Sequence, residues 1–213
     1  YCTHLWQHYR YTLDRDFLKR AFPAMLSAAQ FWLDRLVLDP TDNTYVCPKE
    51  YSPEHGPSQE DGVAHAQQLV FDLLSNTKSA IDVLGSDAEI TEADLKLLED
   101  RLSKLDRGLA TETYTGKWGN PKNGVNTGDV LLREWKTSAY TAGENGHRHM
   151  SHIMCVYPFN QVTPSSPYYQ AAVNSMNLRG DESTGWSMGW KINLWARLQN
   201  GTKAHGILTK ALR

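Results

Sequence analysis

Asp16-Phe-Leu-Lys-Arg-Ala-Phe-Pro-Ala-Met-Leu-Ser-Ala-Ala-Gln-Phe-Trp-Leu-Asp-Arg-Leu36 carries Leu18, Phe22, Met25, Leu26, Ala29, Trp32, Leu33 and Leu36 at helical spacing. Apolar side chains recurring every three or four residues form one stripe on a helix. Pro23 lies early in the run and suits a first-turn position, where the missing N–H costs nothing. Asp39-Pro40 is expected to end the helix.

The same period recurs on both sides. Upstream, Leu5, Trp6 and Tyr9 read as the end of a helix, with Thr12 to Asp14 as a short connector. Downstream, a second long helix is expected from about Gly62 to Leu84, stopped by Gly85. Thr91-Glu-Ala-Asp94 resembles a helix-capping arrangement, with its helix ending near Leu105. A short helical pattern falls around His149–Tyr157. Ser166-Pro167 opens a helix through Asn177. Thr184 opens another, striped by Trp186, Trp190, Leu194 and Leu198. Asn200-Gly201 ends it, and a further helix follows. Little reads as strand, apart from a short extended piece at Tyr45–Cys47.

The links alternate between tight turns and long polar loops. The stretch from Thr41 to Asp61 is broken by Pro48, Pro53, Gly56 and Pro57, and residues 107–146 are rich in Gly, Asn and Thr. A loop that long inside a compact domain is usually functional. Helix pairs with short links at one end and elaborate loops at the other suit an all-α toroid. A plain bundle and a helical repeat array are the alternatives, and the lack of internal self-similarity weighs against the repeat.

Bulk properties narrow the function classes. The chain has 213 residues, 40% apolar and 22% charged, with a formal net charge of −2. This is the composition of a globular domain large enough for a core. With no Lys/Arg run, nucleic acid is not expected as a partner. No apolar stretch reaches the ~20 residues of a membrane span, so membrane insertion is not expected either. Cys2, Cys47 and Cys155 form no paired motif and read as unpaired thiols. The chain begins at Tyr1, inside a helical pattern, and is expected to be an excerpt of a longer protein.

Four groups of residues could carry chemistry. Glu54 lies in Tyr51-Ser-Pro-Glu-His-Gly-Pro57, between Pro53 and Gly56, on a stiff turn. Glycoside hydrolysis needs a carboxylic acid fixed beside the scissile oxygen, and partial burial would favour its protonated form. A solvated loop glutamate is the ordinary alternative. Asp181 stands just before a helix start, where it could cap the helix or act as a second carboxylate that orients water. Gly146-His-Arg-His-Met-Ser-His152 offers donors for sugar hydroxyls through Arg148 and His149. Its spacing lacks an accompanying acidic or Cys ligand, so no metal and no cofactor is expected. Packing around a short helix is the alternative for these histidines. Among seven tryptophans, Trp32 and Trp195 fall on apolar faces. Trp6, Trp118, Trp135 and Trp186 lie at helix ends or in loops, better placed to stack on a sugar, although core packing remains the commoner role for any one of them.

Four segments in order resemble a known family. They are Leu5-Trp-Gln-His-Tyr9, Ser52-Pro-Glu-His-Gly-Pro57, Gly146-His-Arg-His-Met-Ser-His152 with Tyr157-Pro158, and Gly180-Asp-Glu-Ser-Thr-Gly-Trp-Ser187 running into Trp190-Lys-Ile-Asn-Leu-Trp-Ala-Arg197. They are similar to the family 95 glycoside hydrolases, the 1,2-α-L-fucosidases and their relatives. The resemblance covers nearly the whole chain and is weakest across 107–146.

It implies an (α/α)6 barrel, of which this chain is an incomplete part. A β-sandwich domain, the early barrel helices and a C-terminal β domain are expected outside it. It also implies inverting hydrolysis of terminal α-L-fucosides on a glycan or oligosaccharide, in the periplasm or outside the cell. Glu54 is then the general acid, and Asp181 helps position the attacking water. Arg148 and His149 hold the sugar, and Trp6 lines the pocket. An inverting pair of carboxyl groups stands roughly 6.5–9.5 Å apart. The family's water-activating asparagines lie on a segment before Tyr1, so residues 1–213 alone are expected not to hydrolyse aryl fucosides. An α-L-galactosidase of the same family, another toroid hydrolase or phosphorylase, and a non-catalytic sugar-binding helical domain are the alternatives.

Overall fold

A computed structural model describes residues 1–116, 124–139 and 146–213. The chain divides into two compact units, Tyr1–Pro48 with Leu69–Arg107, and Lys49–Gln68 with Gly108–Arg213. Its regular structure is mostly helix: α1 Cys2–Thr12, α2 Arg15–Arg35, α3 Ala64–Leu84, α4 Glu92–Ser103, α5 Tyr169–Arg179, α6 Gly185–Arg197 and α7 Gly201–Ala211. Two short hairpins accompany them, β1 Val37–Asp39 with β2 Thr44–Val46, and β3 Thr111–Thr113 with β4 Val130–Leu132. The helix-rich fold class read from the sequence is therefore found.

In the first unit, α2 buries Leu18, Phe22, Met25, Ala29 and Leu33, the stripe expected from their spacing. The helix starts earlier than Pro23 suggested. Asp14 accepts the Phe17 N–H at 2.8 Å, which caps α2 and places Pro23 inside it. Leu13, in the left-handed region at φ 55°, reverses the chain between α1 and α2. Thr91 caps α4 as expected, accepting the Asp94 N–H at 3.0 Å. The end of α2 differs from expectation. The helix stops at Arg35, and Val37 to Asp39 pair with Thr44 to Val46 in antiparallel register. Asp39 and Asp42 side chains accept the Thr41 and Thr44 N–H groups at 2.9 and 3.1 Å, and these local bonds hold the hairpin turn. Ionic ties of Asp87 to Arg15 (2.6 Å) and Lys19 (2.9 Å) join the short turn after α3 to the start of α2.

In the second unit, α5 packs on the β3–β4 hairpin. Ser175 Oγ accepts the Leu132 N–H at 2.9 Å, and Asn174 Nδ2 donates to the Val130 carbonyl at 2.9 Å. The helices α6 and α7 pack on one another across a three-residue link. Leu194, Trp195, Leu198 and Ile207 join Met150, Ile153, Val156, Ala172 and Met176 in one core. Gln68 fixes the irregular chain around it. Its buried amide nitrogen donates to the carbonyls of Gly108 and His152, each at 2.8 Å, and its oxygen accepts the Cys155 N–H at 2.7 Å. One side chain thus satisfies three backbone groups that no regular element could.

The helix expected around His149–Tyr157 is only a 3-10 turn, Ser151–Ile153. Cys47 and Cys155 are buried, Cys2 is half-buried, and none of the three joins a disulfide. Among the described residues, no helix is long and apolar enough to cross a membrane.

Candidate active site

Glu54 lies in the second unit on the turn Ser52 to Pro57. Arg148 forms an ion pair with its Oε2, and His149 Nε2 stands 3.7 Å from the same oxygen. The residues expected as acid and as sugar ligands are thus in contact. The partial burial expected of Glu54 is not found in this chain, since its side chain is 58% exposed. Its neighbours are not loose, however. Ser52 is fully buried, and Gly56 packs against the Trp135 ring.

The turn is held from beneath by Glu134, which is 1% exposed. One carboxylate oxygen accepts the Ser52 hydroxyl at 2.5 Å and lies 3.0 Å from His55 Nε2. The other accepts from Arg179 at 2.7 Å and lies 3.6 Å from His152 Nδ1. Burial alone would raise the Glu134 pKa. The His55 hydrogen bond and the surrounding positive potential outweigh it and hold the carboxyl well below its usual range. His152 is itself pushed down to about 3, chiefly by burial. It is therefore neutral near neutral pH, and Arg179 supplies the standing positive charge. Arg179 also donates to the His149 carbonyl at 2.5 Å. It thereby ties the support of the Glu54 turn to the segment that carries Arg148 and His149.

A row of rings lies alongside. His55 meets the Trp135 ring edge-on at 5.4 Å and stacks on His147 at 4.0 Å. His147 and His149 stack at 5.3 Å, and His149 meets Trp186 at 4.9 Å. Burial and neighbouring charges push His147 down to about 4, and burial first of all lowers His149. Both imidazoles are then neutral near neutral pH, able to donate from one nitrogen and accept at the other, as hydroxyl-rich ligands require. No group of three or more ligating side chains with metal-binding geometry occurs among the described residues.

Asp181 is not the cap of α6. Thr184 takes that place, and Asp181 instead accepts from Lys203 Nζ at 2.8 Å and Trp195 Nε1 at 3.3 Å. It is half-buried. The helix α6 serves both carboxylate regions. Ser187 in its first turn donates to the Arg148 carbonyl at 2.6 Å, and Lys191 one turn later reaches the Glu182 carbonyl at 3.4 Å. Lys191 is fully buried, and its ammonium is pushed down to about 8, mostly by desolvation.

The other expected residues divide. Trp186 is 51% exposed beside His149 rather than in a core. Trp135 is instead buried in a small core with Val63, Tyr114, Val125, Leu131 and Leu178. Trp6 lies on α1 in the first unit, half-buried, its ring 5.2 Å from that of Tyr9. Trp118 lies outside the described residues. Sequence reading missed Glu134, His55 and Arg179 as a group. The one available signal was the charged pair Arg133-Glu134 set between Leu131-Leu132 and Trp135.

The glycosyl hydrolase family 95 catalytic domain matches residues 1–213. Alpha-L-fucosidase 2 of Arabidopsis thaliana is 30% identical over 98% of this chain, and probable alpha-fucosidase A of Aspergillus niger is 30% identical over 99%. Probable alpha-fucosidase A of Aspergillus oryzae is 33% identical over 72% of the chain. The match over the whole chain places it in a family of glycosyl hydrolase catalytic domains, and the chain belongs to glycosyl hydrolase family 95. It spans 24% and 26% of the lengths of the first two relatives.

Proposed function

We propose that this chain forms part of the catalytic (α/α)6 barrel of an inverting glycosidase that removes terminal α-L-fucosyl residues from glycans. The match of the chain to about a quarter of its relatives' lengths supports a larger catalytic protein, with further barrel helices and β domains beyond these residues. Export to the periplasm or the cell exterior fits a glycan substrate.

One observation carries the reading. The Glu54 carboxylate meets Arg148 and His149, two donors suited to sugar oxygens, on a turn fixed by buried residues. In this mechanism Glu54 protonates the departing oxygen as the glycosidic bond breaks. Asp181, held by Lys203 and Trp195, orients the water that attacks the opposite face of the sugar. To donate, Glu54 must carry a proton. Arg148 therefore exchanges the carboxylate for sugar hydroxyls when substrate binds, a rearrangement typical of sites whose catalytic contacts tighten only around the substrate. Trp186 offers an apolar ring to the sugar.

The test is Glu54→Gln in the full-length protein. General acid catalysis contributes on the order of 10²–10⁴-fold. The variant should lose turnover of an unactivated fucosyl glycan by that order while keeping glycan binding. Unchanged hydrolysis rejects Glu54 as the acid.

A further inference from the structure

The buried carboxylate beneath the turn has a role that the acid and water residues do not explain. Glu134 lies between the buried Leu131-Leu132 and Trp135, next to Arg133, and its side chain is 0% exposed. A buried ion pair is rarely a gain in stability over apolar packing. A requirement beyond stability accounts better for its being there. Its partners show what that requirement is. Ser52 and His55 flank Glu54, two residues before it and one after, and both bond to the same oxygen, Oε1, at 2.5 and 3.0 Å. The second oxygen takes Arg179, whose guanidinium also holds the His149 carbonyl. One buried group thus clamps both shoulders of the Glu54 turn and, through Arg179, the backbone of a sugar ligand.

We infer that Glu134 is a positioning residue, which sets the Glu54 carboxyl against the leaving-group oxygen by gripping Ser52 and His55 on either side of it and Arg179 behind His149. The inference rests on the reading of Glu54 as the acid. The chemistry follows from geometry. A proton donor must lie within hydrogen-bonding reach of the oxygen that it protonates, and a displacement of about 1 Å can cost on the order of 10²-fold in rate. Glu54 itself is tied to its surroundings mainly by Arg148, a contact that it gives up to act. Only the backbone on either side can then fix its place.

The test uses the dependence on leaving group. A sugar leaving group needs a proton as the bond breaks, whereas a dinitrophenolate departs without one. Full-length Glu134→Gln, Ser52→Ala and Glu54→Gln proteins are assayed on a fucosyl oligosaccharide and on dinitrophenyl α-L-fucoside. Glu134→Gln should lower turnover of the oligosaccharide by roughly tenfold or more beyond its effect on the dinitrophenyl substrate. The pattern should match that of Glu54→Gln but be smaller. Ser52→Ala removes one bond of the clamp and leaves the Arg179 pair in place. It should show the same bias to a lesser degree, and it decides the matter if Glu134→Gln does not fold. Equal losses on both substrates, or none, overturn the proposal and leave Glu134 as a fold-supporting group. Absence of the bias in Glu54→Gln removes the acid assignment itself, and the positioning role with it. That failure is visible separately from the first.

Discussion

Gly56 has no room for a side chain. It sits at φ +81°, and a Cβ there would meet Trp135 Cε2 at 2.7 Å, with other atoms of the same ring also too close. Left-handed backbone costs a non-glycine residue about 1–2 kcal/mol, and overpacking adds about 1–3 kcal/mol. Gly56→Ala should therefore destabilise the protein by a few kcal/mol or push the turn off the ring. Urea unfolding together with turnover distinguishes the two, since a shifted turn lowers activity more than stability. His152 gives a pH dependence whose sign follows from its burial. Its folded pKa of about 3 lies below the ordinary 6.5. As pH falls below about 6.5 the unfolded chain gains a proton that the folded chain refuses, so stability drops with falling pH until about 3. Glu134, Arg179 and His55 face the same imidazole. His147, pushed down to about 4, acts in the same sense over the upper part of that range, and Glu134 loses its stabilising ionisation only below the usual carboxylate pKa. His152→Gln should flatten the slope of melting temperature against pH between about 6.5 and 4.5. An unchanged slope contradicts the assignment.

At the scale of elements, the helix starts were legible because capping is local. Thr91 accepts an N–H group three residues on, as its residue type predicts, and Asn200, read as the end of one helix, caps the next in the same way. Asp14 does the same for α2, and its capture of the Phe17 N–H explains why Pro23 does not define the start of that helix. Asp14→Ala should cost about 1 kcal/mol, read as a lower urea midpoint with no change of slope. The hairpins were harder to see. Val37 to Asp39 continue an apolar run with no break after Leu36, and only their pairing with Thr44 to Val46 makes them strand. The hairpin of β3 and β4 lies within a Gly/Asn/Thr-rich stretch that reads as loop, and α5 completes it by bonding Ser175 and Asn174 to its edge. A strand of three residues carries too little pattern to announce itself when its partner is about twenty residues away.

For the whole molecule, the 213 residues of the chain span about a quarter of the lengths of the first two relatives, so the proposed chemistry is to be tested on the full-length protein. Inversion is therefore a prediction for the full-length protein. Nuclear magnetic resonance of the first product should show the β anomer of fucose released from an α-linked substrate. An α product points instead to retention, with a covalent intermediate in place of a directly attacking water.

Sequence alone settled the helix-rich class, most helix starts and the resemblance to the family. Each depends on local chemistry: periodic burial, a cap three residues from its donor, a turn between Pro53 and Gly56. Tertiary structure alone decided that Trp135 belongs to a core, that Asp181 answers to Trp195 and Lys203 rather than to the start of α6, and that Glu134 holds the Glu54 turn. The partners of Glu134 lie 82, 79 and 45 residues away along the chain. A buried charge is recognised by what satisfies it, and at such separations only the folded chain brings those groups together.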